Sequence, residues 1–209
     1  MAVVAGLVFA LVGQNTALAA NASPSFFRSV ETRSSNLKPF KKWTRALKRY
    51  VKERSKVKGD CKATKLNQCH YKTWMTFLDS IRGKDKWSQI RYVNQYMNQA
   101  TYTIDSANWG KKDFWATPGE FMAKFGDCED YAISKLISLT LLGFKEDELR
   151  VVVVKDLNLK VGHAILVVFY SGRVFLLDNQ IKKVIDAKKV RHYKPIFSIN
   201  NKHWWSHRT

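Results

Sequence analysis

Apolar periodicity changes once along this chain, near Gly143, and that switch limits the fold more than any other feature of the sequence. Before it, apolar residues recur at helical spacing. Phe40, Trp43, Leu47, Tyr50 and Val51 make one stripe, Trp74, Phe77, Leu78 and Ile81 a second that ends at Gly83, and Ile90, Val93, Met97 and Ala100 a third. The N-terminal third therefore reads as helical. Thr117, Pro118 and Glu120 then predict a short helix with a capping box and proline at its first position. Ala132, Leu136, Leu139 and Leu142 predict a longer one that starts at Cys128 and stops at Gly143. Beyond Gly143, residues 150–155, 163–170 and 173–178 are β-branched or apolar runs of strand length. Helices followed by hairpin-linked strands give an α+β fold, with helices packed on an antiparallel sheet.

The last two strands are joined by Ser171-Gly172, and this turn sets a register. A two-residue loop pairs Tyr170 with Arg173, hence Ile165 with Asp178 and His163 with Gln180. His163 and Asp178 then share a face as diagonal neighbours about 7–8 Å apart at the backbone. A three-residue loop would place them on opposite faces. Asn179, next in sequence, points away from that pair. A lone histidine in an apolar strand is usually a core residue, but here a free cysteine lies upstream, in Gly126-Asp127-Cys128-Glu129-Asp130-Tyr131 at a predicted helix start. Thiol, imidazole and carboxylate are the nucleophile, base and orienting group of acyl-transfer chemistry. Cys128, His163 and Asp178 are the candidates for those roles. His70, His192, His203 and His207 sit in polar or terminal surroundings without such partners.

The compartment bears on what the cysteine does. Residues 2–13 are uncharged and apolar, and Ala17-Leu18-Ala19 has the small residues a signal peptidase reads, although no basic residue precedes Arg28. The expectation is a secretory signal over 1–20, cleaved or held as an anchor, and a single domain over 21–209. In an oxidising compartment Cys61 and Cys69, eight apart and flanked by polar residues, can close a small disulfide loop, which leaves Cys128 as the odd thiol. No Cys-x-x-Cys or His-x-x-x-His pair lies near Cys128 in the sequence, so zinc is a poor fit.

The formal net charge is +19, with none of it in residues 1–20. Such a field favours anionic partners. The basic residues are scattered and no nucleic-acid-binding motif is present, so nucleic acid is not expected; an acidic protein or an anionic membrane surface is the expected contact, and a merely solubilising surface is the plainer reading. Around Cys128, however, the charge is negative. Asp127, Glu129 and Asp130 raise the thiol pKa, against the helix N-terminus that lowers it. They are either a helix N-terminal cluster or oxygen ligands of a hard cation such as Ca²⁺.

Several segments in order carry a family resemblance: 115–121 (Trp-Ala-Thr-Pro-Gly-Glu-Phe), 126–132 around Cys128, Gly162-His163-Ala164-Ile165-Leu166 and Leu177-Asp178-Asn179. They closely resemble the bacterial transglutaminase-like cysteine proteinases of the LapG type, over about Phe40 to Trp205 and including the Cys61/Cys69 spacing. The resemblance implies a papain-like, transglutaminase-core fold and a periplasmic protease with a Cys128-His163-Asp178 triad. It further implies calcium held beside the nucleophile by Asp127 and Glu129. The implied substrate is the N-terminal region of a large surface adhesin, cut at a paired-alanine site to release cells from a biofilm. The implied regulator is an inner-membrane receptor for cyclic di-GMP that sequesters the protease. Where the family motif usually reads His-Met-Val, this chain has His163-Ala164-Ile165. Two other functions fit the same residues: a protein-glutamine acyl transferase using the triad on an amine acceptor, and a non-catalytic basic adaptor of the cell envelope.

Overall fold

The computed structural model describes residues 26–53, 58–63 and 65–209. The signal expected over 1–20 lies outside the described residues. The three helical stripes form α1 (Lys41–Val51), α2 (Gln68–Ile81) and α3 (Lys86–Met97). Trp43 of α1 and Trp74 of α2 have no solvent exposure, and truncating either to alanine is expected to cost about 3–5 kcal/mol. Val51, which closes the first stripe, is instead 76% exposed, because α1 ends there. Three further helices follow: α4 (Asp105–Trp109), α5 (Pro118–Lys124) and α6 (Cys128–Leu141). Thr117 caps α5 as expected, with Glu120 reaching back to the Thr117 N–H at 2.9 Å. Among the described residues no helix is long and apolar enough to cross a membrane.

Among the described residues, seven strands make one antiparallel sheet in the order β1-β7-β6-β2-β3-β4-β5. They are β1 (Val30–Ser34), β2 (Leu149–Asp156), β3 (Gly162–Tyr170), β4 (Arg173–Leu177), β5 (Ile185–Asp186), β6 (Tyr193–Ile199) and β7 (Trp204–Arg208). The Ser171-Gly172 turn pairs Tyr170 with Arg173 and Leu166 with Leu177, the register the two-residue loop predicts. Helix α6 packs on β3 and β2. Alternation then divides the strands: Val151, Leu166 and Val168 join the helical core, while Val152, Ile165, Val167 and Leu176 join a second apolar cluster on the far face. The core is mixed helix and antiparallel sheet, as the switch at Gly143 implies.

Two features depart from the local reading. The N-terminal third is not wholly helical, since β1 pairs with β7, from Val30 opposite Arg208 to Ser34 opposite Trp204. Its residues are largely exposed and lack apolar alternation, and what holds it is remote: Glu31 accepts from the buried Arg150 guanidinium at 2.7 Å. Strand β6 escapes a local reading for a different reason. Pro195 and a register shift opposite Val153 and Val154 interrupt its pattern, and proline is tolerated there because the ladder is already broken.

Candidate active site

The hairpin half of the site follows from the register. His163 and Asp178 fall on the same side of the β3–β4 hairpin, and His163 Nε2 donates to Asp178 Oδ1 at 2.9 Å. Asp178 takes two more donors: the Gln180 N–H to Oδ1 at 2.9 Å and the Tyr193 hydroxyl to Oδ2 at 2.7 Å. Burial pushes its carboxyl up, but His163 and the other donors outweigh it and hold the pKa below the usual value. From the helical side, Asn98 Nδ2 donates to the Asp178 carbonyl at 2.7 Å. With Nε2 committed to Asp178, Nδ1 of His163 is the nitrogen left for proton transfer.

The helix half starts from strain. Phe125, which ends α5, has φ +61°, a left-handed value that costs a bulky residue about 1–3 kcal/mol. Gly126 follows, where a Cβ would lie 2.1 Å from Asp130 Oδ2. Only glycine fits, because Asp130 turns inward: its carboxylate accepts the Ala116 N–H at 2.6 Å and the Asp127 N–H at 3.4 Å. Asp130 thus ties the 116 loop to the start of α6 and leaves Asp127 and Glu129 facing the crevice. Cys128 occupies the first turn of α6, its Sγ 3.2 Å from Glu129 Oε2. Burial raises the thiol pKa well above its usual value, with Glu129 and Asp127 adding to it. A hydrogen bond from the backbone of Ala164 opposes this and places the sulfur against the residue after His163.

The crevice is more acidic than the sequence motif alone suggests. The Thr103 N–H donates to the Gly126 carbonyl at 2.9 Å, pinning the start of α4 beside α6 and bringing Asp105 to Asp127. Carboxylate oxygens of Asp105, Asp127 and Asp130 lie within 4.8 Å of one another, as do those of Asp105, Asp113 and Glu129. At that separation each ionised pair repels by about 3 kcal/mol at an effective dielectric near 20. Burial accordingly lifts the pKa of Asp127 to about 8 and of Asp105 to about 6, with neighbouring carboxylates contributing. Asp127 Oδ1 and Asp105 Oδ1 are buried without a hydrogen-bond partner. An all-oxygen donor set with orphaned buried oxygens fits a hard cation such as Ca²⁺.

A family model for the bacterial transglutaminase-like cysteine proteinases matches residues 58–207, a span that includes α6, the hairpin and β6. The chain belongs to that family. The family is one of cysteine peptidases, and the fold agrees: calcium-bound LapG of Legionella pneumophila superposes with a TM-score of 0.62 at 28% identity, covering 77% of this chain and 87% of that one. The EGTA-treated form of the same protein gives 0.63 at 28% identity, covering 78% and 86%. A comparison with curated proteins gives no match.

Several groups in this candidate site have no signal in the local sequence. Tyr193 lies fifteen residues beyond Asp178 on β6 and reaches it only because β6 pairs with β2. Lys135, two turns after Cys128 on α6, is fully buried and its Nζ has no hydrogen-bond partner; burial depresses its pKa to about 7, opposed by Asp178. Asp105 enters the crevice on α4 and Asp113 from the loop that follows it. Two histidines differ from their sequence reading. His70 is buried and meets the Asn67 N–H at 3.3 Å, while His207 is buried between Ser29 and Ser198, each at 2.9 Å. Both have structural partners, neither near the crevice residues. The Cys61–Cys69 disulfide is formed, with Cα atoms 5.2 Å apart, and Cys128 is a free thiol.

Proposed function

We propose that this cysteine peptidase is a calcium-dependent endopeptidase whose catalytic residues are Cys128, His163 and Asp178. The observation that carries the reading is a free thiol set against the backbone of Ala164, the residue after His163, whose imidazole is locked by Asp178. Cys128 Sγ attacks the acyl carbon of the scissile bond. His163 Nδ1 takes the thiol proton, then returns it to the leaving amine, and Asp178 holds the ring and stabilises its cationic form. Water then releases the acyl group by the reverse order of proton transfers.

Asp127 and Glu129, with Asp105 beside them, are the residues that would hold calcium. When bound, it supplies positive charge next to the sulfur, where the chain itself places carboxylates. The calcium-bound and EGTA-treated forms of the Legionella relative support this assignment. By the family resemblance, the substrate is the N-terminal region of a large surface adhesin, cut at a paired-alanine site in the periplasm to promote biofilm dispersal. An inner-membrane cyclic di-GMP receptor would restrain the enzyme.

The test is incubation of the protein, in calcium, with an adhesin N-terminal fragment and a labelled primary amine, followed by N-terminal sequencing of the products. A single new N-terminus within a paired-alanine sequence is expected, with no label incorporated. Label on glutamine without chain cleavage would assign acyl transfer instead, and neither product would leave a non-catalytic envelope adaptor.

A further inference from the structure

The β2–β3 connection is a finger beside the active site that the peptidase chemistry does not use. Residues 157–162 are all exposed, and three are large and apolar: Leu157 at 47%, Leu159 at 59% and Val161 at 51%. An apolar loop this exposed would ordinarily fold back onto the body. Here it is held out. The Asp156 N–H donates to the Val161 carbonyl at 2.9 Å and closes the loop, while the buried Asp156 carboxylate accepts the Asn158 and Leu159 N–H groups at 2.8 and 3.0 Å. Lys160 takes a left-handed φ of +61°, and the Leu157 N–H reaches the His192 carbonyl at 2.8 Å. A loop with this many fixed backbone groups presents its apolar side chains to water by construction.

The surroundings are cationic. Lys155, at the base of the finger, lies directly opposite Lys194 on β6, both exposed, and like charges in register are unfavourable in a sheet. Lys160 at the tip and the exposed Arg191 next to His192 add to the same surface, on a chain of net charge +19. Apolar tip and basic base together match a bilayer interface, with acyl chains below and anionic headgroups at the level of the lysines. A protein groove would satisfy the apolar side chains but does not account for the lysine pair.

We propose that residues 157–161 are an interfacial anchor that docks the protein on an anionic lipid surface, with Leu157, Leu159 and Val161 entering the headgroup boundary and Lys155, Lys160 and Lys194 binding lipid phosphate. The docking is separate from cleavage and does not depend on it. The test is co-sedimentation of the full chain, in calcium, with vesicles of phosphatidylcholine alone and with vesicles in which a third of the lipid is phosphatidylglycerol. Binding only to the second, weakened by salt, is expected. The double variant Leu157→Ser/Leu159→Ser should lower binding roughly tenfold or more, and Lys155→Glu/Lys194→Glu should abolish the preference for phosphatidylglycerol. Both pairs are exposed, so unchanged melting temperatures are expected, as is unchanged cleavage of a soluble peptide. Equal binding to both vesicles, or none to either, would overturn the proposal. So would a serine variant that binds vesicles normally but cleaves the peptide poorly, which would assign the finger to the substrate-binding wall.

Discussion

The two halves of the site differ in how far the polypeptide alone completes them. On the β3–β4 hairpin the Asp178 carboxylate is fully partnered: it has three donors, and its pKa lies below the usual value. At the N-terminus of α6 the balance is reversed. Carboxylates crowd one another, two buried oxygens are orphaned, and the thiol pKa is pushed up. One half is preorganised by the fold, while the other gathers more carboxylates than the single Lys42 ammonium paired with Asp113 can balance.

Four experiments probe that contrast. The largest effect falls on the nucleophile: Cys128→Ala should lower cleavage of the adhesin fragment roughly 10⁴-fold or more, with an unchanged circular dichroism spectrum. Residual cleavage near the parent level would remove Cys128 from the mechanism. The second separates the halves directly. Adding calcium at a hundredfold excess over its Kd should stabilise the protein by about 2.7 kcal/mol, raising the melting temperature by roughly 5–10 °C. Asp127→Asn should abolish that response while raising the melting temperature in chelator above pH 8, where the carboxyl it replaces is ionised and repels its neighbours. A chelator-insensitive melt would return Asp127 and Glu129 to a helix-capping role.

The third concerns Lys135, whose buried Nζ lies 5.7 Å from the Tyr131 ring centroid without a hydrogen-bond partner among the described residues. Its folded pKa of about 7 lies below the 10.5 of an ordinary lysine, so the unfolded chain binds more protons between those limits. Stability therefore rises as pH increases from 7 to 10.5, and the full penalty is present at and below pH 7. Lys135→Met should raise neutral-pH stability by about 1–3 kcal/mol and flatten the pH dependence of thermal melts above pH 7; a lower melting temperature would mean that the ammonium is a needed partner of Asp178. The smallest effect is expected for Tyr193→Phe, which removes one of three donors to Asp178. Turnover should fall about tenfold with KM unchanged, whereas a change confined to KM would place the tyrosine in substrate binding.

Much of the hairpin half was legible in the sequence, because a two-residue turn transmits register over eight residues without help from the rest of the fold. The Ser171-Gly172 turn sets which side chains share a face, so the His163–Asp178 pairing follows. The α6 start was legible as well, from Gly126 and the capped Thr117-Pro118 segment before it. Asp105, Asp113 and Tyr193 were not. Asp105 and Tyr193 arrive on elements placed by pairing with distant segments and Asp113 on the loop after α4, and β1, held by Glu31 and Arg150, escaped for the same reason.

By itself, then, the sequence determined the order of helices and strands, the family, the hairpin register and the acidic setting of Cys128, since all of these rest on local periodicity, turn geometry and neighbouring residues. Only the tertiary structure decided which acids share the crevice, that Asp130 turns inward to hold the 116 loop, that Tyr193 completes the partners of Asp178, and that residues 157–161 stand out into solvent. Those outcomes depend on long-range strand pairing and on which buried groups find hydrogen-bond partners, and neither is encoded within a single segment.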